Sequence, residues 1–270
     1  MNIPLEDLFG DVVGKAQRGL GLSNQALADM ARVSEAAVEA VKAGAPDIQT
    51  LHRLAPILGL HGPSLEIMAE NGWYPEPVNL AGLAQFNTPY HDMTVNAYLI
   101  WDPATREAAA FDTGTDAQPM VDKIREMNLK LRYLFLTHTH PDHVADIDTL
   151  SAPEILVSER EPHEDAQTFS PGVAWELGSL KIESRSTWGH SKGGTTYVIH
   201  GLARPLAVVG DALFASSMGG GAVSYIDALT TNRKEIFSLP DDTIICPGHG
   251  PLTTVGEEKA HNPFYPEYKI

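Results

Sequence analysis

One short stretch of the chain concentrates groups that could do chemistry. His138-Thr139-His140-Pro141-Asp142-His143 follows directly on the apolar run Leu131 to Thr137, setting three imidazoles and a carboxylate on one connection. Such groups repel and desolvate one another unless a cation gathers them, and imidazole with carboxylate is a donor set of zinc, iron and manganese sites. Three later candidates stand where an apolar run gives way to glycine or proline: His190 in Gly-His-Ser-Lys-Gly-Gly, Asp211 after Leu-Ala-Val-Val-Gly, and His249 in Ile-Ile-Cys-Pro-Gly-His-Gly. Loops at strand ends are where a rigid sheet carries functional groups, and an adjacent glycine lets the backbone turn sharply enough to aim them inward.

Positioning these groups requires a sheet, and the pattern supplies one. Thr94 to Trp101 and Ala108 to Asp112 read as adjacent strands, and Ala117 to Asn128 reads as a helix leading into the strand that ends at Thr137. Further strands are expected at 154–157, 181–184, 195–200, 206–209 and 243–246. The first quarter of the chain has a different character. Residues from about 5 to 71 read as helices, with Ser23 and Ser34 as N-caps. The order Leu22 to Ala28, Ala31 to Val38, then Leu51 to Leu60 resembles the Cro/repressor type of helix-turn-helix. Asn71 to Pro77 reads as a linker, so the expected organisation is a helix-turn-helix-like domain over 1–72 and a catalytic domain over 73–270.

From about residue 80 to 266 the chain resembles the metallo-β-lactamase fold family, and within it the glyoxalase II-type hydrolases. The likeness rests on the 138–143 run, on Gly210-Asp-Ala-Leu-Phe and on Cys246-Pro-Gly-His-Gly; lactamases often carry a metal-binding cysteine where Asp211 stands. The resemblance implies an α/β (α+β) fold, an αββα sandwich, here preceded by a small all-α domain. It also implies a first metal held by His138, His140 and His190, a second held by Asp142, His143 and His249, and Asp211 as the bridge. Two divalent ions are expected, zinc foremost and iron or manganese as alternatives, with Asp142 and Asp211 as the catalytic carboxylates. Cations sharing Asp211 would lower the pKa of a water held between them, aim it at a carbonyl and stabilise the oxyanion. A thiolate leaves with a pKa of about 8.5 and needs little acid assistance. The expected reaction is therefore hydrolysis of a small acyl thioester or ester, hydroxyacylglutathione hydrolase-like.

By the same resemblance Asp112, in Phe-Asp-Thr-Gly, hydrogen-bonds a ligand histidine and fixes its tautomer. Lys192 and Tyr225 are substrate-binding candidates, weighed against a solvated loop lysine and a core tyrosine. Alternatives keeping the same ligand positions are a mono-iron persulfide dioxygenase and a lactonase; from a different class comes a metal- or ligand-sensing DNA-binding protein. Glyoxalase II proper grips glutathione with a basic C-terminal helical region, for which the residues after His249 offer no counterpart, so glutathione stays open as the substrate.

Composition narrows the partners. A chain of 270 residues with 43% hydrophobic content can bury a large core. A formal net charge of -16 disfavours nucleic acid and anionic lipid. The helix beginning at Ser34 would be the one to read DNA, yet it shows Glu35, Ala36, Ala37 and Glu39 where Arg, Lys, Asn or Gln would be needed. The helical module is expected instead to pack on the catalytic domain or to pair two subunits in a homo-oligomer. No stretch reaches the roughly 20 apolar residues of a membrane helix, and the N-terminal residues lack signal-peptide character. The single cysteine, Cys246, ends an apolar run and suits a buried position. A cytoplasmic enzyme is expected. Among histidines without partnered spacing, His91 is notable for preceding the first expected strand.

Overall fold

The computed structural model describes residues 3–269. Two six-stranded sheets lie face to face. The first holds β1 (Leu83–Tyr90), β2 (Met93–Trp101), β3 (Glu107–Phe111), β4 (Lys130–Phe135), β5 (Glu154–Ser158) and β6 (Gln167–Phe169), side by side in chain order. Its first three strands are antiparallel and β3 to β6 are parallel. The second holds β7 (Ala174–Leu177), β8 (Leu180–Ser186), β9 (Thr195–His200), β10 (Leu206–Gly210), β11 (Ile244–Pro247) and β12 (Thr253–Thr254), antiparallel except for the β10–β11 pair.

Side-chain alternation explains the layering. Tyr98 and Ile100 of β2 enter the space between the sheets, where they meet Phe111, Phe135, Tyr197 and Val208. Ala97, Leu99 and Trp101 of the same strand belong to a second cluster on the outer face, with Met120 of α6 (Gln118–Glu126). Both faces are covered, so β2 is apolar along most of its length rather than alternating. Each fully buried large apolar side chain in these layers contributes roughly 1.5–3 kcal/mol. Cys246 lies in the inner layer, where burial pushes its thiol up and leaves it inert. The fold is thus α/β with two mixed sheets, helices on both outer faces and further helices ahead of the sheets.

Those leading helices are α1 (Phe9–Gly19), α2 (Asn24–Ala31), α3 (Glu35–Lys42), α4 (Ile48–Leu58) and α5 (Gly62–Ala69). The two serine caps form as the sequence implies: Ser23 accepts from Ala26 N–H and Ser34 from Ala37 N–H. Val12, Val13, Leu51 and Leu54 share one continuous core with Val198 and Ala207 of the second sheet. Completing that layer are α8 (Tyr225–Glu235) and α9 (Val255–His261). Backbone and ring contacts reinforce the seam, with His61 N–H donating to the Pro263 carbonyl and Trp73 stacking on His261 at 4.4 Å. Among the described residues no helix is long and apolar enough to cross a membrane.

The seam corrects one expectation. Tyr225, a candidate for lining the substrate pocket, is 6% exposed and belongs to this core, edge-on to Phe264 and pressed against Gly19. A methyl group on Gly19 would fall 2.2 Å from the ring carbon Cγ of Tyr225, which the ring cannot avoid by rotation. Gly19→Ala is therefore expected to destabilise the protein by about 1–3 kcal/mol through overpacking. A lowered urea midpoint would show it; an unchanged midpoint would mean that α1 and α8 do not meet as described.

Candidate metal centre

Four loops at one edge of the sandwich bring the sequence candidates together. The connection after β4 carries His138 and His140 and then Asp142 and His143, which sit on the short helix α7 (Pro141–Val144). His190 follows β8, Asp211 follows β10 and His249 follows β11. These side chains form two groups, His138, His140, His190 and Asp211 in one and Asp142, His143 and His249 in the other. Within each group the donor atoms lie within 4.8 Å of one another.

Asp211 faces both. Its Oδ2 is 3.3 Å from His190 Nε2 and 3.9 Å from His138 Nε2, while its Oδ1 is 3.3 Å from His143 Nε2. His249 Nε2 lies 3.3 Å from Asp142 Oδ2 and 3.4 Å from Asp211 Oδ2. In the first group His140 Nδ1 stands 3.0 Å from both His138 Nε2 and His190 Nε2. A single ring proton on His140 Nδ1 can serve at most one of these two facing nitrogens fully, a deficit that a cation relieves. His143 Nε2 and Asp211 Oδ1 are buried without a hydrogen-bond partner. Orphaned donors of that kind are the vacancies a metal ion fills, so this cluster is capable of holding metal ions.

Outside the cluster, oxygen acceptors fix the direction of four rings. His143 Nδ1 donates to Asp112 Oδ2 at 2.8 Å, His190 Nδ1 to the Gly220 carbonyl at 2.9 Å and His249 Nδ1 to the Thr94 carbonyl at 2.7 Å. His138 Nδ1 meets Thr137 Oγ1 at 3.0 Å, and that hydroxyl donates onward to Asp112 Oδ2 at 2.7 Å. Each contact puts a proton on Nδ1 and turns Nε2 toward the centre. Asp112 thus serves two rings at once, and its Oδ1 also accepts Thr137 N–H at 2.7 Å. It does so from a left-handed backbone, φ 55°, a conformation that non-glycine residues adopt at a cost.

Electrostatics follows from that geometry. Burial pushes His138 well below its usual range, with His143 adding to the effect, and burial also lowers His190. Burial, the largest single influence, would lower His143 and His249 too, but Asp211 together with the other carboxylates near each ring outweighs it. Asp112 assists at His143, lifting it to about 10, and Asp142 assists at His249, lifting it to about 11. Burial would raise Asp211, yet His249 and His143 hold it well below the ordinary carboxylate range.

Other residues take part that the sequence did not single out. Glu161 straps two of the ligand loops together: Oε1 accepts from the Thr139 backbone and hydroxyl, both at 3.0 Å, and Oε2 accepts from Gly193 N–H at 2.7 Å. Phe214 stands edge-on to His249 with ring centres 5.5 Å apart. The Thr94 and Gly220 carbonyls have no side-chain signature that sequence could reveal. Lys192 is exposed and makes no ion pair or hydrogen bond among the described residues.

Comparison with known proteins agrees with this architecture. Residues 92–184 match the metallo-beta-lactamase superfamily. The chain is 31% identical to the hydroxyacylglutathione hydrolase GloC of Haemophilus influenzae, over 63% of this chain and 92% of that one. It is 29% identical to the human mitochondrial persulfide dioxygenase ETHE1, over 62% of this chain and 69% of that one. Among solved structures, the B3 metallo-beta-lactamase BLEG-1 superposes with a TM-score of 0.56 at 28% identity, covering 67% of this chain and 99% of that one.

The charge pattern has a measurable consequence. At neutral pH the metal-free cluster keeps His143 and His249 protonated, because their raised values of about 10 and 11 lie far above it, whereas His138 and His190 are neutral. Loading divalent metal must expel those protons, about two per cluster, so apparent affinity rises with pH. Calorimetric titration with zinc in buffers of different ionisation enthalpy counts them; release of none would contradict the protonation described.

Proposed function

The chain belongs to the metallo-beta-lactamase superfamily and is an enzyme of its hydrolase kind, and from that premise we propose that it hydrolyses a small acyl thioester or ester at the His/Asp cluster. The observation that carries the reading is the Asp211 carboxylate, which faces both groups of donors: Oδ2 lies 3.3 Å from His190 Nε2 and 3.4 Å from His249 Nε2, and Oδ1 lies 3.3 Å from His143 Nε2. His138, His140 and His190 would hold one divalent ion, Asp142, His143 and His249 a second, with Asp211 between them. When bound, such ions supply the acidity that makes water a nucleophile near neutral pH and positive charge for the developing oxyanion.

The protein's own groups do the rest. The acceptors on Nδ1 keep imidazole lone pairs inward, Glu161 keeps the His190 loop in register with the 138–143 loop, and buried Asp142 and Asp211 are placed to take the proton that the attacking water gives up. No proton donor for a poor leaving group stands among these residues, which favours a thiolate over an amine. Similarity to hydroxyacylglutathione hydrolase supports this choice, and similarity to ETHE1 supports a second reading, oxygen-dependent chemistry on a persulfide at a single iron.

For the leading residues we keep the reading of a helix-turn-helix-like module over 1–72 that serves packing rather than DNA. In support, three of its five cations are engaged within the chain: Lys42 donates to Asn24, Arg53 to the Arg32 carbonyl and Lys15 to the Met218 carbonyl.

Protein purified without added metal is expected to carry two equivalents of divalent metal, zinc foremost, and to cleave small acyl thioesters. His140→Ala or Asp211→Ala should lower turnover by more than about a hundredfold with the far-ultraviolet dichroism of the helices retained. One equivalent of iron with oxygen uptake on a persulfide would transfer the assignment to the second reading. Undiminished turnover in either variant would refute the ligand set.

A further inference from the structure

The residues just ahead of α1 lie against the metal centre. A methyl group on Gly250, the neighbour of His249, would stand 3.3 Å from Glu6 N and 3.7 Å from the Pro4 carbonyl oxygen. This segment is fastened there. Asp7, 5% exposed, pairs with Lys15 and accepts from Ser217 Oγ at 2.5 Å. Lys15 also donates to the Met218 carbonyl at 2.9 Å and lies over the Phe214 ring, itself edge-on to His249.

Between this segment and the turn joining β1 to β2 runs a groove of about 480 Å³, lined by Glu6, Asp7, Asp11, His91, Asp92 and Thr94 among others. Thr94 ties the groove to the centre, since its carbonyl holds His249. Asp7 is neutralised by Lys15, but Glu6, Asp11 and Asp92 have no ion pair among the described residues. Glu6 is half-buried on the segment that rests on Gly250, its carboxylate without a hydrogen-bond partner among the described residues, and within electrostatic reach of His249 and Asp211.

We infer that the 4–7 segment is one wall of the substrate cleft and that Glu6 is its specificity-determining charge, selecting substrates whose leaving group is cationic or neutral over those bearing carboxylates. A carboxylate at a cleft wall disfavours an anionic partner by like-charge repulsion at close range, and a low-dielectric wall strengthens the effect. Glutathione, with two carboxylates, is the kind of thiol such a wall turns away. The inference rests on the thioester reading above and deepens it by naming the leaving group.

Three acetyl thioesters separate the cases, since they share an acyl group and differ only in the thiol: acetylthiocholine is cationic, S-ethyl thioacetate neutral and S-acetylglutathione anionic. With metal-loaded enzyme at about pH 8.5, where Glu6 is ionised, kcat/KM is expected to fall in that order. Glu6→Gln should shrink the thiocholine-to-glutathione ratio by about fivefold through KM, and Glu6→Lys should shrink it further. A wild-type preference for S-acetylglutathione, or a ratio that neither variant moves, overturns the inference. Cleavage of none of the three sinks the thioester reading itself. The wall is then read by binding, with choline and S-methylglutathione as probes that do not turn over: tighter choline binding that Glu6→Gln weakens supports it, and equal or reversed affinities overturn it.

Discussion

A carboxylate buried among five imidazoles is the constraint around which the catalytic edge of this molecule is arranged. Asp211 is 8% exposed, and both its oxygens face ring nitrogens rather than water. Burial of so much ionisable surface is unfavourable unless positive charge joins it. In the metal-free chain that charge is two protons, on His143 and His249; bound metal ions would supply it instead. The same geometry serves both states, because the rings are oriented from outside the cluster. Asp112, Thr137 and the carbonyls of Thr94 and Gly220 hold their Nδ1 protons and keep every Nε2 pointing inward, whether it carries a proton or a metal.

Meeting that constraint governs the backbone as well. All four ligand loops leave from one edge of the two sheets, so the strands fix their origins while the loops set the final approach. Close approach is what glycine provides here: a Cβ on Gly248 would stand 2.1 Å from Asp211 Oδ1, and one on Gly210 would meet Thr137 Oγ1 at 2.5 Å. Gly210 also adopts a positive φ of 51°. A side chain at either position would displace the very atoms that orient the donors. From its left-handed backbone Asp112 likewise reaches Thr137 and His143 with one carboxylate.

What could be read in the sequence follows from which of these features are local. The 138–143 run and the glycine-flanked His190, Asp211 and His249 carry their chemistry in residue type and spacing, so the cluster was legible as a set. The apolar runs announced β2 to β5 and β8 to β11. By contrast β1 escaped notice, because Gln85, Asn87 and Pro89 interrupt its pattern; it is an edge strand, where a proline can be accommodated without breaking an interior ladder. The strands β6, β7 and β12 are two to four residues long and leave no periodicity to read. Glu161 was hidden for another reason: its partners, Thr139 and Gly193, are 22 and 32 residues away. The carbonyls that orient His190 and His249 are common to every residue and have no sequence signature at all.

The leading helices show how much of a module's use lies outside its local pattern. Their caps and periodicity were plain, and the sequence reading was of a module that packs on the catalytic domain or pairs two subunits. In three dimensions α1 shares a core with α8 and the second sheet, and its cation Lys15 reaches past the helix to the loop that carries Phe214 and Met218. A lysine so placed couples helix packing to ring orientation at His249, because moving α1 would release Asp7 from Ser217 and take the cation from above Phe214. Helix resemblance alone assigns such residues to surface recognition, whereas their partners assign them to the catalytic edge. In this chain the scarcity of cations sharpens the point: with 19 lysines and arginines against 35 acids, a half-buried cation that holds two segments together is one withdrawn from the surface, and the acidic cleft wall is in keeping with the same imbalance.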